Sequence, residues 1–234
     1  MVDPEISNMK FHAASARTYR RLHIFAILFV AILFSTLAEA EAAGNEPSSA
    51  PDPAYALTSR ALIEALQKGG YTLYFRHTST DFAKLDGAVK RYDDCSTQRM
   101  LSDIGRAEAK TIGTAIRALQ LPVGEGLASP YCRTMETATL MFGKVRRSLA
   151  VREGGENNYP ALKKLLAKPV SPANTNRMIV GHGIPFRAIA GPPHLSEGEA
   201  AVLKPLGDRY VVVARIAVGD WAGLMEVALP RVKH

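Results

Sequence analysis

Four side chains stand where short apolar runs give way to loops. They are Arg76 and His77 in "YFRHTSTD", Arg133 in "ASPYCRTMETA" and His182 in "IVGHG". Arginine is permanently charged and presents a planar fork that holds two oxygens of an oxyanion at once. Histidine, with an ordinary pKa near 6.5, is neutral often enough to act as a nucleophile and form a covalent intermediate. Neighbouring arginines favour that neutral form. A second histidine stabilises transferring oxygens. This combination suits phosphoryl chemistry, in which positioning and charge stabilisation carry most of the catalysis. Each fragment alone is commonplace: His182 reads as a strand-end loop histidine and Arg133 as a surface arginine opening a helix. The order, with each fragment after a strand, is what is specific.

The elements that must position these residues alternate. A helix capped by Thr58 runs through Lys68 and stops at Gly69-Gly70. "YTLYF", Tyr71 to Phe75, reads as a strand. Ser102 caps the next helix, whose Ile112, Ala115, Ile116 and Leu119 share a face, and Pro122 stops it. Gly126 to Ser129 is a short strand, and Arg133 to Phe142 a helix. "SLAVR" reads as a strand, Tyr159 to Ala167 as a helix, Arg177 to Gly181 as a strand and Ile184 to Ala190 as a short helix. At the end, "RYVVVARIAV" and "WAGLMEVAL" read as adjacent strands turning at Gly219-Asp220. The alternation predicts an α/β fold, a three-layer α/β/α sandwich on a mostly parallel central sheet, with ligands beyond the carboxyl ends of the strands.

The joint pattern resembles the histidine phosphatase, or phosphoglycerate-mutase-like, superfamily. Arg76, His77 and Thr80 match its R-H-G motif and the threonine that follows, with Thr78 in place of the usual glycine. Its middle motif is similar to "LSDIGRAEAKTIG" and "SPYCRTMETA", and its late G-H motif to Gly181-His182. The resemblance runs from about Tyr71 to Gly191. It implies that His77 is the phosphorylated nucleophile and that His182 assists it. It implies further that Arg76, Thr80 and Arg133 bind the substrate phosphate, with no metal and no organic cofactor. It also implies an acid that protonates the leaving oxygen. Glu153 in "VREGGENN" fills that role, with Glu156 and Asp81 as alternatives. The expected function is a phosphomonoesterase acting on a small phosphorylated substrate. Its rivals are a phosphohistidine protein phosphatase and a catalytically silent phosphate-binding envelope protein.

Composition narrows the rest. The chain has 234 residues, 47% hydrophobic and 22% charged, with a net charge of +7. No run of five basic residues occurs, so a nucleic-acid footprint is not expected. Arg17, Arg20 and Arg21 precede the apolar stretch Leu22 to Ala38, and small residues at alternate positions follow it. That is the pattern of a secretory signal, or otherwise of a membrane anchor. Residues 1–43 are therefore assigned to it, 44–54 to a flexible linker and 55–234 to the phosphatase domain. The working place is then periplasmic or secreted, with membrane contact only through an uncleaved N-terminus. Two cysteines in an exported chain make a Cys95–Cys132 disulfide the simplest arrangement, against two separate buried thiols. No zinc-type spacing, phosphate-binding G-x-x-x-x-G-K-[ST] loop or G-x-S-x-G elbow is present.

Overall fold

The structure, a computed structural model, describes residues 59–87, 89–152 and 158–229. The expected signal segment, the linker, the Thr58 cap, Glu153 and Glu156 lie outside the described residues. Among the described residues no helix is long and apolar enough to cross a membrane.

In chain order the elements are α1 (Ser59–Lys68), β1 (Thr72–Arg76), α2 (Asp103–Ala118), β2 (Val123–Ala128), α3 (Cys132–Phe142), β3 (Arg146–Arg147), α4 (Pro160–Ala167), β4 (Asn176–Gly181), α5 (Gly183–Ala190), β5 (Ala200–Pro205), β6 (Tyr210–Ile216) and α6 (Asp220–Ala228). The six strands form one sheet in the order β3-β2-β4-β1-β5-β6. β3, β2, β4 and β1 are mutually parallel; β5 is antiparallel to both neighbours, so β6 again runs with β1. The sheet is thus mostly parallel, as the alternating elements predict.

Side chains alternate between the two faces of a strand, and the burial follows that rule. Leu73 and Phe75 of β1 and Met178 and Val180 of β4 join one core, with α1, α2, α3 and α6. Tyr74 and Ile179 point the other way, into a second core with α4 and α5. Two cores, one on each face of the sheet, make the three-layer α/β/α sandwich. The turn into β1 needs Gly69 and Gly70, both left-handed with φ of +84° and +85°. A Cβ at Gly69 would also collide with the Asn174–Thr175 backbone.

Two assignments are corrected. "WAGLMEVAL" is helix α6, not a strand. Trp221 and Leu224, three residues apart, are its buried face, and Asp220 accepts the Ala217 amide at 2.8 Å as the helix begins. The strand paired with β6 is instead β5, whose short run "AAVLKP" carries no turn signal of its own. "SLAVR" contains a 3₁₀ turn at Leu149–Val151, and the strand pairing falls just before it, Arg146 and Arg147 against Leu127 and Ala128.

Candidate active site

Strand register brings the distant motifs together. Arg76, the last residue of β1, pairs with Gly181, the last of β4, and Ala128, the last of β2, pairs with Val180. The next residues in each chain segment are His77, His182 and Ser129. They leave one edge of the sheet side by side, beyond the carboxyl ends of three parallel strands. The His77 and His182 rings meet edge to face with centroids 5.6 Å apart. They border a cavity of about 620 Å³ whose charged lining includes Arg76, Arg99, Arg133 and Arg152, with Asp86 as its one acid among the described residues.

His77 is 3% exposed. Its amide donates to Gly181 O at 3.0 Å, and its Nδ1 lies 3.0 Å from Thr78 O. A carbonyl only accepts, so Nδ1 carries the proton and Nε2 carries the lone pair. Burial, reinforced by Arg133, Arg76 and Arg99, pushes the His77 pKa down to about 3. The ring is neutral at any physiological pH. His182 is also held well below the ordinary histidine value, by burial first and then by Arg133 and His77. Tyr74 clamps its backbone: the phenol donates to His182 O at 2.9 Å and accepts from His182 N at 3.0 Å. Ser129 Oγ is 2.8 Å from His182 Nε2.

Arg133 sits in the first turn of α3. Its Nη1 donates to Asp86 Oδ1 at 2.8 Å and to Arg99 O at 3.4 Å, and its guanidinium lies 4.6 Å over the Tyr131 ring. Arg152 approaches the same ring at 5.5 Å. Burial raises the Asp86 carboxyl, but the Arg99 amide and the Arg133 charge outweigh it and hold Asp86 below the usual carboxylate value. Arg76 Nη1 donates to Leu195 O at 2.9 Å and Nη2 to Glu197 Oε1 at 3.2 Å.

The middle motif explains itself as a clamp on the His77 loop. Ser102 caps α2 by accepting the Gly105 amide at 3.0 Å, and its hydroxyl also donates to Ser79 O at 3.2 Å. A Cβ at Gly105 would strike the Ser79 carbonyl, so only glycine lets the helix approach. One turn on, Glu108 accepts the Ser79 amide and hydroxyl, both at 3.0 Å. Thr78, where the resembled family has glycine, is fully buried without a left-handed φ, and its hydroxyl is 3.2 Å from Thr137 Oγ1.

Of the residues expected from sequence, Arg76, His77, Arg133 and His182 line one cavity. Thr80 does not line it: its amide and hydroxyl are committed to Glu197 at 3.1 and 3.0 Å. Asp81 accepts the Ala83 amide in its own turn and is likewise absent from the lining. Cys95 and Cys132 are joined by a disulfide, with Cα atoms 5.8 Å apart. It binds the loop that carries Asp86 and Arg99 to the residue preceding Arg133. Gln98 doubles that tie, accepting the Cys132 amide at 2.9 Å. Sequence reasoning missed Asp86, Arg99, Arg152 and Glu197. Only Glu197 had a local signal, the acidic "SEGE" before a strand.

No protein-family model matches the sequence, and no curated protein does. Solved structures are similar in shape at low identity. The protein histidine phosphatase SixA complexed with tungstate is 12% identical, with a TM-score of 0.48, over 64% of this chain and 98% of that one. Phosphoserine phosphatase from Entamoeba histolytica, in complex with 3-phosphoglyceric acid, is 14% identical, with a TM-score of 0.47, over 63% and 96%. A mycobacterial glucosyl-3-phosphoglycerate phosphatase is 14% identical, with a TM-score of 0.43, over 57% and 89%.

Proposed function

We propose that the chain is a phosphomonoesterase of the histidine phosphatase type, working outside the cytoplasm. The observation that carries this reading is the state of His77. Its Nδ1 proton faces Thr78 O, and its ring is kept neutral in a cavity walled by four guanidinium groups. Such a cavity attracts a phosphate dianion and leaves the nucleophile unprotonated beside it.

The reaction proceeds in two displacements. The Nε2 lone pair of His77 forms an N–P bond as the ester P–O bond breaks. The leaving oxygen takes a proton from Glu153, the proposed acid. Arg76 and Arg133 hold the equatorial oxygens, and neutral His182 donates a ring N–H to one of them. Water then attacks phosphorus from the vacated side, the N–P bond breaks, and the Glu153 carboxylate accepts the water proton. One ester and one water give one alcohol and one inorganic phosphate. Export is supported by the N-terminal basic and apolar pattern together with the Cys95–Cys132 disulfide, since such bonds persist in oxidising compartments.

Turnover of p-nitrophenyl phosphate by the purified protein tests the reading. Activity lost in His77→Ala and inhibited competitively by vanadate supports it; an inactive wild type, or an active His77→Ala, refutes it.

A further inference from the structure

Glu197 stands 120 residues after His77 in the chain, yet it connects the parts of the phosphate site. Its Oε1 accepts from Arg76 Nη2 at 3.2 Å and from Thr80 Oγ1 at 3.0 Å, and its Oε2 accepts from the Thr80 amide at 3.1 Å. The same Oε1 lies 3.9 Å from His77 Nδ1, on the side of the ring away from the attacking nitrogen. Because the ring is neutral in the free protein, this approach is not an ion pair there. Gly198, the next residue, donates its amide to His77 O at 2.9 Å and so fixes the approach.

We propose that Glu197 is a positioning residue for phosphoryl transfer, which aims Arg76 at the phosphate and stabilises the positive charge that His77 acquires on phosphorylation. The proposal rests on the phosphatase reading above. The chemistry is direct. When the Nε2 lone pair forms the N–P bond, Nδ1 keeps its proton, and the imidazole becomes a cation. Among the described residues, the other charges that act on the ring are opposing guanidinium groups, from Arg133, Arg76 and Arg99. Glu197 is the carboxylate that faces the Nδ1 edge, and its pull grows as the ring charge grows. An interaction stronger in the transition state than in the ground state raises the rate rather than the binding. Arg76, held by Glu197 on one nitrogen and Leu195 O on the other, needs no reorganisation when the phosphate arrives. Glu197 touches no reacting atom and acts through His77 and Arg76.

Glu197→Gln keeps the volume and an acceptor oxygen for Thr80 and removes the charge. Single-turnover rapid quench with p-nitrophenyl phosphate should show phosphoenzyme formation slowed about 10–100-fold, the size of loss that follows removal of a carboxylate orienting a metal-bound imidazole from behind. The thermal midpoint should stay near wild type, and inhibition by inorganic phosphate should weaken much less than phosphoenzyme formation slows. A folded Glu197→Gln with the wild-type formation rate overturns the proposal, as does a loss explained wholly by weaker phosphate binding. If Glu197→Gln does not fold, Glu197→Asp, whose shorter arm withdraws the charge, must show the same selective slowing. A wild type that forms no phosphoenzyme defeats the phosphatase reading and this proposal with it. A wild type that does, beside an unaltered Glu197→Gln, defeats this proposal alone.

Discussion

Asp86 Oδ1 accepts Arg133 Nη1 at 2.8 Å and the Arg99 amide at 2.9 Å, so one carboxylate joins the loop before α2 to the first turn of α3. Arg133 is 6% exposed, and its pose in the cavity depends on that partner.

The dependence predicts a non-additive mutant cycle. Arg133→Lys should lower kcat/KM about 100–1000-fold, the cost of a misplaced transition-state donor, because lysine cannot grip two oxygens. Asp86→Ala alone should lower it about 10-fold by releasing the guanidinium, and should cost nothing further in the Arg133→Lys background. Steady-state kinetics on the four proteins measures this; simply additive losses would show that Asp86 acts elsewhere.

The buried histidines predict a pH-dependent stability. The unfolded chain binds a proton on His77 below about pH 6.5. The folded chain does not until about pH 3. Stability therefore falls as the pH is lowered through that window, by up to about 1.4 kcal/mol per pH unit for this one group. His182, shifted in the same direction, adds to the slope. Urea midpoints measured from pH 7 to pH 4 should fall less steeply in His77→Gln by about one proton's worth. A His77 carbon resonance titrating near pH 6.5 would contradict the account.

The disulfide predicts a linked loss of stability and affinity. The two cysteines are 37 residues apart, a loop whose closure contributes about 4 kcal/mol in the chain-entropy model. Cys95→Ser with Cys132→Ser should lower the thermal midpoint by about 8–15 °C in a domain of this size. It should also raise KM, since Asp86 and Arg99 lie on the freed loop. Calorimetry and kinetics on the double variant check both effects, and an unchanged KM would detach the bridge from the site.

How far the sequence discloses this arrangement depends on range. Arg76, His77 and His182 are legible because each ends or directly follows a strand whose β-forming run is unambiguous, and strand ends in a parallel sheet share one edge. Ser102 is legible as a cap because its hydroxyl works within its own helix turn. Glu197 and Asp86 are not, because their partners are 121 and 47 residues away; the acidic "SEGE" around Glu197 marks an acid before a strand but not its partner, and the neighbours of Asp86 read as ordinary loop. The α6 segment reads as a strand because "WAGLMEVAL" is apolar on most sides and follows a Gly-Asp pair that mimics a hairpin turn. Only the burial of Trp221 and Leu224 reveals its period.

The leaving-group acid has its own signature. Glu153→Gln should slow alkyl phosphates, whose leaving oxygens need a proton, about 100–10,000-fold, and aryl phosphates much less. A paired assay of glycerol phosphate and p-nitrophenyl phosphate measures the ratio. Equal slowing of both would move the role away from Glu153.

In the proposed reaction His77 Nε2 carries the phosphoryl group. Rapid-quench reaction with labelled substrate, followed by digestion and peptide mapping, measures this. One phosphate should appear on the peptide containing His77, labile to acid and stable to base, and none in His77→Ala. An active enzyme that never labels that peptide, or a label that survives in His77→Ala, would contradict it.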